Sequence, residues 1–547
     1  MSLTVSSTAV DIPDVAHISA LLADARERSA TVRIQSARIL QRLRDSGTQL
    51  SRVSVDSRTM RPGDLFLALP GARADGRAHI SDALRRGAHA VLWEAHGGDA
   101  VTLPPGVAGF AVPQLGRVSG VLAASIYQQP SESLWIAAVT GTNGKTSVSQ
   151  WLAQALAQAG DCSAVIGTLG AGLAGEPSTA VNTTPEACSL QQLLRELVDR
   201  GAGRLAMEAS SIGIEQGRIE GVSIDCAILT NFTRDHLDYH HTMRAYAEAK
   251  LGLFAAAGLT HAVCNQDDPL GERLLDALAG SNLQCIAYSL NGGPSTRRSV
   301  RLVEARHIVH HDRGMDFRLC EGGASEPVAT LLAGRFNVAN LLAVAGALIA
   351  LDWSLPAIAE AMARLQPVPG RMQRVGGAAC PLVLIDYAHT PDALANALDT
   401  AREISTARGG RLIVTFGCGG DRDRGKRASM GQLAAERADR VVLTSDNPRS
   451  ESPQAIADDV VAGVALASAT RRAAVQTELD RANAIELAIA DAQGCDVVLV
   501  AGKGHEHYQE IGGVKTPFSD LTQAQQALSH WRLRQPASTS AGGGAVC

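Results

Sequence analysis

The chain has 547 residues, of which 46% are hydrophobic, 19% charged and 3% aromatic, a composition typical of water-soluble enzymes with roughly two to four domains. A net charge of −5 gives no electrostatic reason to expect nucleic acid as a partner, and no apolar run is long enough to cross a membrane. The N-terminal segment has no basic start followed by an apolar core, so we do not expect a signal peptide there. Ten scattered cysteines without a zinc-type spacing favour reduced, buried thiols, so we expect a cytoplasmic protein.

The alternation of apolar strands and helices along the chain predicts an α/β protein of three domains. A polar, arginine-bearing helix should form an N-terminal extension, and the segment QPVPGR marks a boundary between the two larger domains. Each larger domain should form a doubly wound, mostly parallel sheet, the C-terminal one Rossmann-like. The predicted division is an extension at 1–45, a small α/β domain at 46–132, a central domain at 133–366, a C-terminal domain at 367–535 and a disordered tail at 536–547.

Polar motifs follow the predicted strands of both larger domains. GTNGKTS follows LWIAAV, NFTRDHLDYH follows DCAILT, GCGGDRDRGKR follows LIVTF, DNPRSE follows VVLTS, and GKGHE follows VVLVA. Open α/β sheets bind ligands at the carboxyl ends of their strands. We therefore expect these motifs to face two clefts, or one cleft shared between the domains.

The Gly-rich segment VTGTNGKTS has the order of a phosphate loop, with a strand before it and an amphipathic helix after it. Gly141 and Gly144 would let backbone N–H groups approach an anion at the helix N-terminus. Lys145 would reach the terminal phosphates of ATP, and the Thr146 hydroxyl would bind Mg²⁺. A standard loop has glycine where this chain has Val139, which points to a particular family of such loops. The candidate nucleotide-binding residues are Gly141, Thr142, Asn143, Gly144, Lys145, Thr146 and Ser147.

Two further segments of the central domain offer metal-binding chemistry. Glu208 ends a strand and His236 lies in NFTRDHLDYH, and a carboxylate with an imidazole suits a Mg²⁺ that bridges ATP and an acceptor. Taken alone, His236 fits a structural role better than a role as a metal ligand. Lys250 falls on the apolar face of a predicted helix, where a lysine must reach solvent, find a partner or lose its charge.

The loop sequence TGTNGKT resembles that of the Mur ligase family, the ATP-dependent amide-bond-forming enzymes of peptidoglycan precursor synthesis, and of their folylpolyglutamate synthase relatives. The resemblance runs from about Val53 to about Glu506. It implies domains for a UDP-sugar, for ATP and for an incoming amino acid. It also implies ATP-dependent addition of meso-2,6-diaminopimelate to the D-Glu γ-carboxylate of a UDP-linked muramoyl dipeptide through an acyl phosphate.

The resemblance assigns roles at the ATP site. It makes Glu208, His236 and a CO2-derived carbamate on Lys250 ligands of a second Mg²⁺, beside the Thr146 site. It places Asn337, Arg371 and Asp386 near the base and ribose. Without the resemblance, these last three read equally well as a helix start, a surface arginine and a strand-end cap.

The resemblance also assigns the acceptor site. The segments VDSR and GARADGR resemble the uridine-diphosphate site, NTTP resembles a dipeptide-contacting loop, and SSIGIEQGR matches further acceptor contacts. One residue departs from the pattern, because the family commonly has histidine where this chain has Ile212. The implied acceptor residues are Val55, Ser57, Ala72, Arg73, Ala74, Asn182, Thr183, Thr184, Ser210, Gln216 and Arg218.

Three loops of the C-terminal domain are expected to select the amino acid. A site for diaminopimelate needs a planar cation for the distal carboxylate, for which Arg449 is suited with Arg422 reinforcing, and an acceptor for the distal ammonium, for which Glu506 is suited. The pattern DNPR is that of diaminopimelate-adding members. Arg424 and Lys426 are instead expected in a solvated basic loop. The candidate substrate residues are Arg422, Asp446, Asn447, Pro448, Arg449, Gly502 and Glu506.

Two other functions remain open at this level. The chain could be a lysine-adding or folate-adding enzyme of the same fold, or a scaffold that binds ATP without turnover. Retention of Lys145 together with a possible second metal set argues for an enzyme, because a pure binder needs no second metal. We expect a monomer whose partners are its small-molecule substrates, with no nucleic acid and no membrane.

Overall fold

The computed structural model describes residues 11–534 apart from 72–73, 97–100, 177–181, 293–299, 312 and 469–471. Ala72, Arg73 and the predicted tail at 536–547 therefore lie outside the described residues. Among those described, no helix has both the length and the apolar character needed to cross a membrane.

The chain starts with a long helix, α1 (Val15–Asp45), which is the predicted polar helix of the N-terminal extension. The Asp14 side chain caps it by accepting the His17 N–H at 2.8 Å. Ile18 and Leu22, in its first half, pack into the core beneath the central sheet, and Leu43, near its end, packs into the core of the small N-terminal domain. The helix therefore connects the two domains through buried apolar contacts.

The small N-terminal domain is a four-stranded parallel sheet in sequential order. Its buried strands consist of apolar residues bounded by turns, as the sequence predicts. The elements are β1 (Arg52–Ser54), β2 (Asp64–Ala68), α2 (Ile80–Arg85), β3 (Ala90–Glu94), β4 (Ala108–Val112) and α3 (Leu115–Ile126).

The central domain has a ten-stranded sheet in the order β14-β13-β12-β11-β10-β9-β5-β8-β6-β7. The elements are β5 (Trp135–Thr140), α4 (Lys145–Gln158), β6 (Ser163–Gly167), β7 (Gly170–Leu173), α5 (Ala187–Asp199), β8 (Arg204–Glu208), α6 (Ser211–Glu215), β9 (Cys226–Leu229), α7 (Leu237–His240), α8 (Met243–Leu251), β10 (His261–Asn265), α9 (Pro269–Leu278), β11 (Gln284–Ser289), β12 (Arg301–His311), β13 (Gly314–Glu321), β14 (Ala324–Thr330), α10 (Arg335–Ile349) and α11 (Leu355–Arg364).

The C-terminal domain has a six-stranded sheet in the order β15-β16-β20-β17-β18-β19, with a separate two-stranded hairpin. The elements are β15 (Gln373–Gly376), β16 (Leu382–Asp386), α12 (Pro391–Ala407), β17 (Leu412–Phe416), α13 (Gly425–Arg437), β18 (Arg440–Leu443), α14 (Pro453–Val464), β19 (Ala474–Thr477), α15 (Arg481–Ala490), β20 (Val497–Ala501), β21 (Tyr508–Ile511), β22 (Val514–Pro517) and α16 (Asp520–Arg534).

The predicted α/β architecture is confirmed, with parallel pairing through the middle of both larger sheets. The sequence reading missed the antiparallel meander β12–β14 at one edge of the central sheet and the antiparallel pair β6–β7 at the other. Strands β12 to β14 carry many charged and exposed residues, because only one face of this edge is buried. A continuous apolar run is the signal of a strand buried on both faces, and these strands do not have it.

Candidate active site

The carboxyl ends of the two larger sheets border one cavity of about 750 Å³, within the range of small-molecule sites. The central domain contributes the loops that follow β5, β8 and β9. The C-terminal domain contributes the residues that follow β16, and Arg422 from the loop after β17. Of the two arrangements expected from the sequence, the structure has the shared cleft.

The glycines of the loop between β5 and α4 occupy backbone conformations that other residues rarely adopt. The φ angles of Gly141 and Gly144 are 143° and 89°. A Cβ atom at Gly141 would collide with the Thr230 hydroxyl, and one at Gly144 would collide with the side-chain oxygen of Asn340. The loop therefore needs both glycines, and α4 begins directly at Lys145 with its N-terminus toward the cleft.

Asn231 holds the loop from the end of β9. Its carbonyl accepts the Thr142 N–H at 2.8 Å and its side-chain oxygen accepts the Asn143 N–H at 2.9 Å. Close by, the buried hydroxyl of Thr233 has no hydrogen-bond partner within the part of the chain that the structure describes. A buried polar atom without a partner is costly, and here it lies at the wall of the cleft, where a polar ligand would satisfy it.

Two lysines converge on one carbonyl of this loop. Nζ of Lys145 donates to the carbonyl oxygens of Gly141 at 2.8 Å and Thr142 at 2.9 Å, and Nζ of Lys250 donates to the Gly141 carbonyl oxygen at 2.7 Å. Lys250 is 1% exposed. Burial, reinforced by the charge of Lys145, holds the pKa of Lys250 well below its usual range. Lys250 therefore favours a neutral amine.

Glu208 and His236 line the same part of the cleft. Oε1 of Glu208 accepts the Thr168 N–H at 2.8 Å and Oε2 accepts the Thr168 hydroxyl at 3.1 Å, which fixes the carboxylate. Burial lowers the pKa of His236 to about 4, so the imidazole is neutral near pH 7 and can act as a metal ligand.

A metal site built only from acidic, histidine and cysteine side chains is not preformed, since no group of three or more such residues lies close enough among the described residues. The cleft instead brings together the Thr146 hydroxyl, the Glu208 carboxylate and the His236 imidazole. Mg²⁺ keeps several waters and takes further oxygens from substrate phosphates, so Thr146 fits one such ion, and Glu208 with His236 forms the donor set of a second. A carbamate on Lys250 would add oxygen atoms to the set.

Two of the three residues expected around the nucleotide base and ribose line the cleft, and the third does not. Arg371 and Asp386 line the cleft, and Nη2 of Arg371 donates to the Thr146 hydroxyl at 3.0 Å. Asn337 is buried behind the wall, where its Oδ1 accepts a hydrogen bond from Asn340 at 3.1 Å. Asn340, which the sequence reading missed, lines the cleft in its place.

The residues expected at the acceptor dipeptide lie beside Glu208. Asn182, Thr183, Thr184, Ser210 and Arg218 line the cleft, and so does Ile212, at the position that departs from the family pattern. Nη1 of Arg218 donates to the Thr184 carbonyl at 2.9 Å and Nη2 donates to Gln216 at 2.7 Å. Gln216 is exposed and does not line the cleft; it orients Arg218.

Of the expected UDP residues that the structure describes, Val55 lines a second cavity, of about 630 Å³, whereas Ser57 and Ala74 do not. Val55 lines this cavity with Arg52, Arg58 and Arg61, and Glu186 and Gln192 border it from the central domain. The three arginines suit a diphosphate. Ser57 is buried at the start of a turn beside Val55, and Ala74 is exposed with its carbonyl accepting the Gly71 N–H.

The amino-acid loops cluster after β17, β18 and β20. Nη1 of Arg449 donates to the Gly420 carbonyl at 2.7 Å, and Nδ2 of Asn447 donates to Oε2 of Glu506 at 2.8 Å. Asp446, Asn447 and Pro448 are buried, and Gly502 has a φ of 114° against the Asp446 carboxylate. Arg422 alone of the expected amino-acid residues borders the shared cleft.

The prediction that Lys426 lies in a solvated loop is wrong. Lys426 is 7% exposed, and its Nζ lies 3.9 Å from Oδ1 of Asp235 across the domain boundary. Asp235 also has Nε2 of His389 at 3.7 Å and Nε2 of His236 at 3.5 Å. Arg424 is exposed, as expected, and pairs with Asp459 at 3.1 Å.

Asp235, His389 and Asp392 are cleft residues that the sequence reading missed. Asp392 accepts a hydrogen bond from Asn143 at 3.1 Å, and Arg234 pairs with Asp423 at 3.0 Å, so polar contacts join the two domains on both sides of the phosphate loop. The adjacent charges in RDH were the available signal, but a charged triplet in a loop is normally solvated.

Models of three Mur ligase domains match most of the chain. The model described as "Mur ligase family, catalytic domain" matches residues 49–127, "Mur ligase middle domain" matches 139–348, and "Mur ligase, glutamate ligase domain" matches 370–504.

Curated relatives are similar along nearly their whole length. The chain is 48% identical over 492 residues to UDP-N-acetylmuramoyl-L-alanyl-D-glutamate–2,6-diaminopimelate ligase of Chromobacterium violaceum, which covers 90% of this chain and 97% of that protein. It is 46% identical over 485 residues to the enzyme of the same name from Pseudomonas aeruginosa, covering 88% and 96%.

Solved structures share the architecture. A structure of UDP-N-acetylmuramoyl-L-alanyl-D-glutamate–2,6-diaminopimelate ligase matches with a TM-score of 0.63 at 36% identity, covering 88% of this chain and 95% of that one. MurF ligase from Thermotoga maritima in complex with ADP matches with a TM-score of 0.59 at 16% identity, covering 89% and 98%, which shows the fold alone.

Proposed function

The chain belongs to the Mur ligase family, and from that premise we propose how its residues divide the work of an ATP-dependent amide-bond-forming ligase. The reaction adds meso-2,6-diaminopimelate to the D-Glu γ-carboxylate of UDP-N-acetylmuramoyl-L-alanyl-D-glutamate, in peptidoglycan precursor synthesis. The observation that carries the division is the shared cleft, where Lys145, Glu208 and Lys250 lie together.

The first step is transfer of the γ-phosphoryl group of ATP to the D-Glu carboxylate, which gives an acyl phosphate and ADP. Catalysis of such a transfer is mainly positioning and charge stabilisation. We assign the phosphates to the loop from Gly141 to Ser147, with Lys145 next to the developing charge and Arg371 close to Thr146. Thr146 would hold one Mg²⁺, and Glu208 with His236 would hold a second, which would supply positive charge beside the phosphates.

The second step is attack of an amine of diaminopimelate on the acyl phosphate, which releases phosphate. The incoming amino acid must reach the carbonyl carbon from the C-terminal domain, on the side of the cleft opposite the phosphate loop. We place the acceptor dipeptide along Asn182, Thr183, Thr184, Ser210 and Arg218, beside Glu208. No protein nucleophile is required.

We propose that Lys250 is carbamylated in the active enzyme. The support is its burial, its lowered pKa and its position 2.7 Å from the loop carbonyl of Gly141. A neutral amine can add to CO2, and the carbamate formed is an anion that can bind Mg²⁺ and balance the charge of Lys145.

We assign selection of the amino acid to Arg449 and Glu506, with Arg422 at the entrance from the cleft. Diaminopimelate differs from lysine by a distal carboxylate. Without that carboxylate, a guanidinium placed to bind it would be left desolvated and unpaired, so lysine should be rejected by about 10⁴-fold or more. Asn447 bonds to Glu506 and Gly502 lies against Asp446, while Arg449 bonds to the Gly420 carbonyl.

We further propose that the enzyme is a cytoplasmic monomer, with Val55 and the arginines around the cavity of about 630 Å³ holding the UDP group. The cysteines support a reducing compartment, because most of those among the described residues are buried, as expected of thiols that are kept reduced. Sedimentation of the purified chain with and without substrates would test the oligomeric state.

The test of the reaction is phosphate release with the UDP-linked dipeptide, ATP and Mg²⁺, comparing diaminopimelate with lysine. We expect release that needs both the dipeptide and diaminopimelate. Equal use of lysine would indicate the lysine-adding relative. ATP binding without any acceptor-dependent release would indicate a scaffold.

A further inference from the structure

Lys503 is a fully buried lysine in the loop after β20, outside the ATP cleft. Its Nζ donates to Oε2 of Glu506 at 2.7 Å and to Oδ1 of Asn447 at 3.0 Å, and lies 3.5 Å from Oδ1 of Asp446. An ammonium group is stable away from water only where anionic and polar groups surround it. We call Asp446, Asn447, Lys503 and Glu506 the Lys503 cluster.

The cluster joins the loop after β18 to the loop after β20. Asn447 is its connecting residue, because its Oδ1 accepts from Lys503 and from the Glu510 N–H at 3.0 Å, while its Nδ2 donates to Glu506 at 2.8 Å. Every polar atom of the Asn447 side chain is therefore held by the other loop or by β21.

Arg449 follows two residues later and bonds to the same strand, β21, to which Asn447 bonds through the Glu510 N–H. Its backbone has a φ of 52°, in the left-handed region that residues other than glycine seldom occupy. Its N–H donates to the Glu510 carbonyl at 3.0 Å, and its carbonyl accepts the Gly512 N–H at 2.7 Å. Such a strained conformation persists only where neighbouring contacts enforce it, and those contacts start at Asn447 and β21.

We propose that Lys503 is a positioning residue for amino-acid selection, because it holds Asn447 and Glu506 in place. Arg449 then faces the distal carboxylate of diaminopimelate, and Glu506 faces its distal ammonium. The proposal rests on the assignment of Arg449 and Glu506 under the proposed function. Lys503 and Asn447 both bond to Oε2 of Glu506. That leaves Oε1 of Glu506 as the oxygen for the distal ammonium. Lys503 and diaminopimelate would then bind different oxygen atoms of the same carboxylate.

The test is Lys503→Met, which removes the charge and keeps the length of the side chain, in the full-length enzyme with the UDP-linked dipeptide, ATP and Mg²⁺. We expect the KM for diaminopimelate to rise by about 10- to 100-fold, the loss typical of hydrogen bonds to a charged group. The KM for ATP should stay within about twofold, and the preference for diaminopimelate over lysine should fall. A purely structural role would not separate the two KM values.

The matched control is Lys515→Met. Lys515 is exposed and lies over the same Tyr508 ring as Lys503. Its replacement should leave the KM values for diaminopimelate and for ATP unchanged. Should Lys503→Met fail to fold, Lys503→Gln serves, because glutamine can still bond to Asn447. Folding of each variant is checked by the rise in melting temperature with ATP and Mg²⁺.

A parent enzyme that does not use diaminopimelate would refute the proposed function. A parent that uses it, with an unchanged KM for diaminopimelate in Lys503→Met, would overturn the role of Lys503 alone. Loss of ATP-induced stabilisation in both variants would also overturn it, since Lys503 would then be needed for the fold and not for selection.

Discussion

Lys250 in the central domain and Lys503 in the C-terminal domain are both buried lysines, but their surroundings differ. Lys250 donates to one backbone carbonyl, stacks on the Tyr246 ring at 4.3 Å and has Lys145 as a like-charged neighbour. Lys503 is held by two carboxylate side chains and an amide.

The difference shows that burial alone does not decide what a lysine does. Without a carboxylate partner, a buried ammonium loses its proton more easily, and the amine becomes open to chemical modification. With carboxylates around it, the charge is satisfied and the lysine becomes a fixed donor that orients its neighbours. We therefore expect a chemically reactive lysine in the central domain and a lysine with a positioning role in the C-terminal domain.

The largest expected effect is at Lys145, the lysine closest to the phosphates. Lys145→Ala should lower turnover by about 10³-fold or more, because a cation at a transferring phosphoryl group contributes on that scale. The fold should be unaffected, since Lys145 bonds only to carbonyls of its own loop. Acceptor-dependent ADP release and thermal unfolding check the two statements. Near-normal turnover in Lys145→Ala would show that this loop does not take part in phosphoryl transfer.

Lys250 tests the reactive side of the comparison. Lys250→Ala should lose about 10³-fold in turnover and recover part of it with acetate, which can replace the oxygens of a carbamate. Lys250→Arg should be inactive and should not respond to acetate, because the guanidinium fills the space. NMR of the enzyme in ¹³C-labelled bicarbonate would detect the carbamate directly. An active enzyme with an unmodified Lys250 amine would contradict carbamylation.

Arg449 tests the recognition side. Arg449→Ala should reduce kcat/KM for diaminopimelate by an amount equivalent to about 2–5 kcal/mol, the cost of removing one partner of a desolvated charged pair. Arg449→Lys should not restore activity, because an ammonium cannot make the forked contact with a carboxylate. Both substrates are measured in each variant beside the parent. If the diaminopimelate-to-lysine ratio did not change, the loop would not be the selecting element.

The smallest effect is expected at Lys515, which is exposed and lies 4.4 Å from the Tyr508 ring. Lys515→Met should cost at most about 0.5–1 kcal/mol of stability, the scale of an exposed cation–π contact, and leave kcat unchanged. Denaturant unfolding and steady-state kinetics measure this. A large loss of activity in Lys515→Met would mean that the lysines near Tyr508 affect activity through their contribution to net charge and not through buried contacts.

The phosphate loop and the helix after it were predictable from adjacent residues. The loop needs glycines at fixed spacing before a helix, and the helix needs an apolar face, which Val148, Trp151 and Leu152 supply as buried residues. The apolar face of α8 was predicted in the same way, and Tyr246, Ala247 and Lys250 are buried on it. Such patterns are local, so the sequence displays them without knowledge of the fold.

The interdomain contacts were not predictable in this way. Lys426 lies in a charged segment that reads as a solvated loop, and it is buried only because the C-terminal domain brings it to Asp235, a residue far away in the chain. Phe336, Ala339 and Asn340 of α10 line the cleft. Asn337 is buried on the same helix and bonds to Asn340. Which of these side chains reaches the cleft depends on how α10 packs against the rest of the fold.

Local periodicity and the backbone requirements of glycine were enough to predict the α/β class, the buried parallel strands, the phosphate loop and the residue types that follow those strands. The packing of the domains, which no local pattern reveals, makes both sheets open onto one cleft. It also gives Lys503 two carboxylate partners, whereas Lys250 has none among the residues that the structure describes. Charge and burial of a side chain depend on groups distant in sequence, and their positions are set by the packing of the domains.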